Sequence, residues 1–335
     1  MKKFFRGLLV FLLKTILMLG SAYLASLAFP SKHMEGGIPW LAFFYLVPVF
    51  FVIFSSKYQT VWFYGFVYGF SFYLFYNYWL STFHPLAILI APSLESIQYI
   101  LLFLVLRATK SVARRHYGLF AGLVYNGYLY LTQNGFLAYP YGNLTSAVYT
   151  YSSLIQIVSI TGIWGLGLVM TLPQTVFAEI LSERKWRRLR LDFLLSLLLL
   201  SLTWGLGFIS HSYYEEKEPE RVMRIAAIQH SADTWKGGYD TYRDNFYNLM
   251  DLTREAMEEE PEMVVWSETA FVPSVTWHKL FPMYNATDRL CVQFEEFGKS
   301  LGIPLITGNP EGIQDDPNQG AINEEGDWNW ITYNT

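Results

Sequence analysis

One carboxylate stands where a short apolar run ends, in a position suited to proton transfer. Residues 263–273 read MVVWSETAFVP, so four apolar residues lead through Ser267 into Glu268, and the chain turns at Pro273. The run predicts a buried strand. We expect the loop after it to project Glu268 into a partly dry crevice, where a carboxylate can act as a general base. The alternative is a surface glutamate at a strand end, which is common in an acidic domain.

A histidine follows a second apolar run in the same way. RIAAIQ at 224–229 has the length of a strand, and His230 comes directly after it. In parallel sheets the working residues lie beyond the carboxyl ends of the strands, so His230 and Glu268 are expected at neighbouring strand ends. The sequence has no further His or Cys cluster nearby, and a metal site is therefore not predicted.

The segments around these residues predict an α/β domain. Apolar residues at helical spacing predict helices over 240–261, ended by Pro261, and over 284–301, ended by Gly302. Further strands are predicted at 304–308 and 328–333. This alternation predicts a largely parallel sheet with right-handed crossovers. Residues 212–335 carry 9 Lys and Arg against 23 Asp and Glu, a net charge of −14 that argues against nucleic-acid binding.

The first part of the chain predicts a polytopic α-helical membrane bundle over residues 1–211. Apolar runs of about 20 residues are long enough to cross a bilayer. We predict about seven spans, at 7–29, 38–55, 60–80, 85–106, 117–138, 153–181 and 191–210. The first run also resembles a signal peptide, but six further spans favour a membrane protein.

The basic residues predict the orientation of these spans. With a cytoplasmic N-terminus, the inside segments hold 13 Lys and Arg, and the outside loops hold one, Lys32. Seven crossings then place residues 212–335 on the outer face. In a bacterium with two membranes, this describes an inner-membrane protein whose second domain faces the periplasm.

Two charged residues fall inside predicted spans. Lys14 lies in the first span, where it either snorkels or marks a later start of the span. Glu95 lies near the middle of the fourth span. It is interpreted either as a neutral, hydrogen-bonded side chain between helices or as a functional group. A transporter that uses Glu95 is a third, weaker hypothesis, because the spans show no inverted repeat.

Further segments join MVVWSETAFVP in pointing to a known family. They are IQHSADTW at 228–235, LITG at 305–308, YNT at 333–335, YPYGNL at 139–144 and SSLIQIVSITGIWGLGLV at 152–169. Together with the seven predicted spans, they resemble the apolipoprotein N-acyltransferases. These are membrane enzymes whose periplasmic domain belongs to the nitrilase (carbon–nitrogen hydrolase) superfamily. The resemblance covers essentially the whole chain.

The resemblance implies a fold and roles for particular residues. Residues 212–335 would be the N-terminal part of a nitrilase-like α-β-β-α sandwich. Glu268 matches the family's catalytic general base, and Trp235 matches a tryptophan near the active site, where we expect it to bind substrate. Ser267 stands where the family has proline, and His230 stands where it has glycine.

The resemblance also implies the reaction and its partners. A phospholipid donates an acyl chain to a cysteine of the enzyme. The resulting thioester passes the chain to the free α-amine of the diacylglyceryl-cysteine at the N-terminus of an apolipoprotein. The family needs no metal and no other cofactor for this chemistry.

Two members of the family's Glu–Lys–Cys triad are not matched in this sequence. In the family both follow the Y-N-[ST] strand, which here ends at Thr335. The one cysteine, Cys291, lies in a predicted amphipathic helix beside apolar residues, and we interpret it as a core residue. We expect a C-terminally truncated member without turnover on its own. The alternative is a non-catalytic relative that binds lipid or lipoprotein in the membrane.

Overall fold

Two compact units make up the chain. The computed structural model describes residues 1–31, 34–82, 84–134, 138–232, 236–313 and 331–333. The first unit, Met1–Glu218, is called the membrane unit below, and the second, Pro219–Thr335, is called the α/β unit. Each unit has its own hydrophobic core.

Helices dominate the membrane unit. Its α-helices, within the described residues, are α1 Lys2–Leu27, α2 Leu46–Ser55, α3 Tyr58–Tyr76, α4 Ala87–Ala113, α5 Tyr117–Leu131, α6 Ser152–Ile155, α7 Val158–Glu183 and α8 Trp186–Glu216. Short 3-10 helices cover Pro39–Phe43, Tyr78–Thr82 and Leu144–Val148. The helix α7 is kinked at Gly162, whose φ of 64° and ψ of −177° suit a glycine but few other residues.

The predicted helical membrane region is confirmed. In the part of the chain that the structure describes, four helices, α1, α4, α7 and α8, are long and apolar enough to cross a bilayer, and a shorter apolar helical stretch covers Pro39–Ser55. Every segment predicted as a span contains helix. Seven crossings would also require α3, which has 19 residues, and α5, which has 15, to cross the bilayer. Neither of these helices is among the four.

Polar side chains tie the membrane helices together. Gln174 of α7 is 2% exposed. Its amide oxygen accepts a hydrogen bond from Leu46 N at 3.0 Å, and its amide nitrogen donates to Ala42 O at 3.0 Å and to Met170 O at 3.0 Å. In an apolar surrounding, each unsatisfied backbone group is costly, so Gln174 anchors α7 to the start of α2.

Lys14, which was predicted either to snorkel or to mark a later start of the first span, instead lies inside α1 and caps another helix. Its Nζ donates to Ser55 O at 2.8 Å and to Ser56 Oγ at 3.0 Å, at the C-terminal end of α2. Arg107 donates to Ser56 O at 2.8 Å, and Lys110 donates to the carbonyl of Phe54 at 3.2 Å. These cations satisfy carbonyls that have no partner within the helix and complement its negative end.

The α/β unit contains the predicted parallel sheet. Its elements are β1 Ile225–Ile228, α9 Tyr239–Met257, β2 Met263–Trp266, α10 Val275–Leu280, α11 Ala286–Ser300, β3 Leu305–Ile306, β4 Glu311–Ile313 and β5 Ile331–Tyr333. The strands β1, β2 and β3 pair in that order, and both pairs are parallel. The predicted fourth strand is present as β5, but it pairs antiparallel with β4 in a separate sheet.

One face of the three-stranded sheet carries the core. Val264 and Trp266 of β2 are 0% and 3% exposed and pack with Phe246 of α9. The opposite face is open among the described residues, where Ile225 and Ile306 are each 51% exposed. The sheet therefore has a buried side that fixes its strands and an apolar side that still contacts solvent.

Local signals explain where the flanking helices begin. The helix α11 starts with a capping box, in which Asn285 Oδ1 accepts from Asp288 N at 3.0 Å and Asp288 Oδ2 accepts from Asn285 N at 3.0 Å. The helix α9 begins after Gly238, whose φ is 98°. Asp240 lies in its first turn, where a carboxylate complements the positive end of the helix.

Candidate active site at the strand ends

Three polar residues occupy matching positions beyond the carboxyl ends of the parallel strands. Ile228 pairs with Trp266 and Val265 pairs with Ile306. Counting on from these pairs along the sequence, His230, Glu268 and Asn309 follow the three strands at equivalent positions. The sequence predicted the first two, and the register of the sheet adds Asn309. This edge is where parallel sheets place their functional residues.

The turn that carries Glu268 is unusually constrained. Ala270 N donates to Ser267 O at 3.2 Å, which closes a four-residue turn. Its third residue, Thr269, has a φ of 56°. A β-branched residue with positive φ is rare and strained, and such strain is found preferentially at functional sites. Ala270 and Phe271, which follow, are buried and hold the turn against the core.

Asn309 fixes the chain beyond this turn. Its Nδ2 donates to Phe271 O at 2.8 Å and to Pro273 O at 2.9 Å, and its Oδ1 accepts from Val275 N at 3.0 Å. The loop after β2 is thus tied to the loop after β3. Asn309 was not predicted from the sequence, although an asparagine directly after a predicted strand is a signal that could have indicated it.

The surroundings of Glu268 differ from the expected crevice. Its side chain is exposed, so the described residues do not form the partly dry pocket predicted around it. Trp235, predicted to bind substrate, lies outside the described residues. The geometry therefore gives Glu268 a fixed backbone position at the sheet edge, without burial of the carboxylate.

His230 is the more buried of the two predicted strand-end residues. Its Nδ1 is buried and has no hydrogen-bond partner within the described part of the chain. Burial lowers the pKa of His230, because an apolar environment disfavours the charged imidazolium. At neutral pH this ring is therefore neutral, and it binds a proton less readily than an exposed histidine does.

Cys291 does not have the environment of a nucleophile. Burial raises the pKa of its thiol to about 12, and Asp288 and Glu295 add to the effect. The reactive form of a cysteine is the thiolate, so the interpretation of Cys291 as a core residue agrees with its surroundings. It lines a cleft of about 700 Å³ between α10 and α11, together with the paired side chains of His278 and Asp288.

Among the described residues, no group of three or more His, Cys, Asp or Glu could hold a metal ion.

The membrane unit has a cavity of its own, of about 500 Å³. Its lining combines apolar and polar side chains from the loop between α5 and α6 and from the start of α7, including Pro140, Tyr149, Gln156, Ser159 and Ile163. Such a lining can hold a ligand that has both an apolar chain and a polar group.

The loop beside this cavity is fixed by its own residues. Gly142 has a φ of 77°, and a Cβ there would lie 2.9 Å from the ring of Phe72. Asn143 Oδ1 accepts from both the nitrogen and the hydroxyl of Thr145 at 3.1 Å. The segment YPYGNL therefore contains one position that needs glycine and one that caps the following 3-10 helix.

Comparisons with known proteins give a consistent result. The family model described as the apolipoprotein N-acyltransferase N-terminal domain matches residues 21–176. Apolipoprotein N-acyltransferase 1 of Treponema denticola is 30% identical over 316 residues, which are 91% of this chain and 58% of that protein. Apolipoprotein N-acyltransferase 1 of Treponema pallidum is 28% identical over 325 residues, 93% of this chain and 58% of the relative.

A third relative comes from another genus. The apolipoprotein N-acyltransferase of Borreliella burgdorferi is 26% identical over 311 residues, 88% of this chain and 56% of that protein. The chain thus spans somewhat more than half the length of the curated relatives that it matches. The domain model matches within the membrane unit and the relatives match about nine-tenths of the sequence, so the chain is similar to apolipoprotein N-acyltransferases along most of its length.

Proposed function

We propose that this chain supplies the membrane region and part of the acyl-transfer domain of an apolipoprotein N-acyltransferase. The observation that carries the proposal is the similarity, along 91% of the chain, to a protein of that name. In the proposed reaction, an enzyme cysteine takes an acyl chain from a phospholipid as a thioester. The free α-amine at the N-terminus of a diacylglyceryl apolipoprotein then attacks the thioester and releases the thiol.

Glu268 is the proposed general base. Its position on a fixed turn at the carboxyl edge of the sheet supports this role, because a base must be held at hydrogen-bond distance from the proton that it takes. Its exposure means that substrate or further protein must cover it before it reacts. The acyl-carrying thiol is assigned to no residue of this sequence, since Cys291 is buried and protonated.

The proposed architecture follows the charge pattern of the sequence. Residues 1–211 would form a membrane domain with seven crossings and a cytoplasmic N-terminus. Residues 212–335 would be the N-terminal part of a periplasmic nitrilase-like domain on the bacterial inner membrane. The 13 Lys and Arg of the inside segments, against one outside, support this orientation. Both substrates are then anchored in the leaflet nearest the acyl-transfer domain.

The cavity of the membrane unit is the proposed site for the acyl donor. It is lined by the loop between α5 and α6 and by the start of α7, which lie on the periplasmic side in this orientation. Gln156 and Ser159 offer polar groups to a lipid head, and Ile163 and Leu166 offer an apolar wall to its chain.

A hybrid protein tests the proposal directly. Residues 1–335 replace the matched part of the Treponema denticola relative, and lipoprotein N-acylation is measured in membranes. We expect activity, and we expect Glu268→Gln to reduce it by about 10²–10⁴-fold, the usual contribution of a general base. Glu262→Gln, at the other end of β2, is the matched control and leaves the activity unchanged.

The outcome also decides the alternative function. If the hybrid is folded and inactive, the chain is better described as a non-catalytic lipid- or lipoprotein-binding relative. If Glu268→Gln and Glu262→Gln are equally active, the assignment of the base is wrong even though the family assignment stands.

The orientation has a separate test. Trypsin added to spheroplasts should cleave the α/β unit, which carries Arg221 and Arg224 in an exposed segment before β1. Protection of this unit in intact spheroplasts, with cleavage only after lysis, would place it in the cytosol and refute the periplasmic assignment.

A further inference from the structure

A groove with apolar walls lies on the membrane unit between α1, α2 and the end of α7. It has a volume of about 620 Å³. Leu17 of α1, Val47 and Phe51 of α2, and Leu181 of α7 contribute apolar walls. Arg184 and Trp186, which follow α7, line the groove as well. Its chemistry therefore changes from apolar along the helices to cationic and aromatic at one end.

The groove runs from the ends of α2 and α7 toward the middle of the membrane unit. Lys110 joins the two helix ends, because its Nζ donates to Phe54 O at 3.2 Å and lies 2.8 Å from Glu183 Oε1. From Phe54 to Val47 is about 10 Å along α2, at 1.5 Å per residue. That length is about two-thirds of one leaflet of a hydrocarbon core about 30 Å thick, and it suits a large part of a lipid acyl chain.

Arg184 is held in place but has no anionic partner among the described residues. It ends α7 with a φ of 53°, and its N–H donates to Ile180 O at 2.8 Å. The adjacent carboxylate of Glu183 is already engaged by Lys110 at 2.8 Å and by Lys185 at 3.0 Å. The guanidinium is thus available to an anion from outside the protein, and Arg is well suited to phosphate.

The charge at the end of the groove and its level in the membrane together indicate which kind of ligand it binds. Trp186 is 46% exposed, and tryptophan side chains settle at the level of lipid head groups. The groove opens at the end of the membrane unit that carries the basic segment 184–190, which faces the cytoplasm in the orientation proposed above. Basic pockets between helices on that side bind anionic lipid head groups.

We propose that this groove binds one anionic glycerophospholipid of the cytoplasmic leaflet. One acyl chain lies along α1, α2 and α7, and the phosphate accepts hydrogen bonds from Arg184. The site is separate from the proposed acyl-donor cavity, which lies at the opposite ends of the spans. It does not take part in acyl transfer.

Native mass spectrometry of the full chain tests the proposal. The protein is reconstituted into nanodiscs of equimolar phosphatidylglycerol and phosphatidylcholine, transferred to a mild detergent, and analysed for retained lipid. We expect one phosphatidylglycerol per chain, retained about tenfold over phosphatidylcholine. Arg184→Gln should reduce this retention about tenfold, because it removes a charge-assisted phosphate contact. Arg187→Gln, in the same basic segment but away from the groove, should retain the lipid.

A second variant tests the apolar part of the site. Leu181→Trp fills the groove and should also release the lipid, whereas Leu195→Trp on the exposed face of α8 should not. Equal losses from Arg184→Gln and Arg187→Gln would mean general attraction to a basic surface and would overturn the proposal. Equal retention of both lipids, or retained lipid in Leu181→Trp, would overturn it too. Unchanged thermal unfolding of each variant in detergent excludes loss of the fold.

Discussion

In the membrane unit Lys14 donates to Ser55 and Ser56 at the end of α2, whereas in the α/β unit the side chain of Glu268 makes no hydrogen bond within the described residues. Similarly, Gln174 satisfies three backbone groups, but Nδ1 of His230 has no partner in that part of the chain. In the first unit these two polar side chains hold helices together. Among the described residues of the second unit, Glu268 and His230 lie unpaired at one edge of the sheet.

This difference reflects the surroundings of each unit. In an apolar environment an unpaired polar group is costly, so side chains such as Lys14 and Gln174 stabilise the helices by satisfying backbone carbonyls and amides. At the carboxyl edge of the sheet, water can solvate the exposed carboxylate of Glu268 until a ligand arrives. This carboxylate is therefore available for chemistry, while Lys14 and Gln174 serve stability.

The largest effect is expected from a substitution that removes the packing behind the carboxyl edge of the sheet. Phe246 is 0% exposed, and its ring lies 5.4 Å from that of Phe271, just after the Glu268 turn. Phe246→Ala should destabilise the α/β unit by about 3–5 kcal/mol. Hydrogen exchange at the β2 amides of the full chain measures this change. Tyr247→Ala, at a neighbouring position that is 44% exposed, should have little effect.

A smaller effect is expected from breaking the polar closure of the membrane unit. Gln174→Leu leaves Leu46 N and Ala42 O without their partner, at a cost of about 2 kcal/mol. Thermal unfolding in detergent measures it, and Gln59→Leu at an exposed position is the control. Equal unfolding temperatures for the two variants would show that Gln174 is not needed to join α7 to α2.

The hydrogen bonds of Asn309 at the sheet edge should contribute less to stability. Asn309→Ala removes the hydrogen bonds that hold Phe271, Pro273 and Val275, and we expect a local loss of about 1 kcal/mol. The readout is faster hydrogen exchange at the amide of Val275. Thr307→Ala loses only a 3.4 Å contact to the next carbonyl and should not change that rate.

The smallest effect is a dependence of stability on pH. Burial lowers the pKa of His230, so the unfolded chain binds the proton more readily. The neutral ring contributes fully to the free energy of unfolding above the ordinary His pKa of about 6.5. This contribution declines as the pH falls from there to the lower pKa that His230 has in the folded protein. His230→Gln should flatten this part of the curve. A slope that is identical in the variant would show that the ring is not buried in solution.

The sequence predicted the elements well where hydrophobic pattern determines them. The apolar runs correspond to helices in the membrane unit, and the alternation of strands and helices after Arg221 corresponds to a parallel three-stranded sheet. The fourth strand was predicted as a strand, but its partner was not predicted. Strand pairing depends on which backbone edge lies nearby, and a local pattern does not contain that information.

The candidate site was predictable only in part. Glu268 and His230 were found because each follows an apolar strand, and register then aligned Asn309 with them. The positive φ of Thr269 had no sequence signal, since such a conformation usually belongs to glycine or asparagine. The exposure of Glu268 depends on which parts of the chain pack around it, and so burial had to be seen in the structure.

By itself the sequence determined the two-part organisation of the chain, its membrane helices and its resemblance to a family, because composition, periodicity and motif are properties of consecutive residues. The tertiary structure decided which distant groups meet. It placed Lys14 on the carbonyls of α2, Asn309 on the loop after β2, and Arg184 at the end of an apolar groove. Contacts between residues far apart along the chain form only when the helices and sheet pack, and only packing determines which polar groups are left for a ligand.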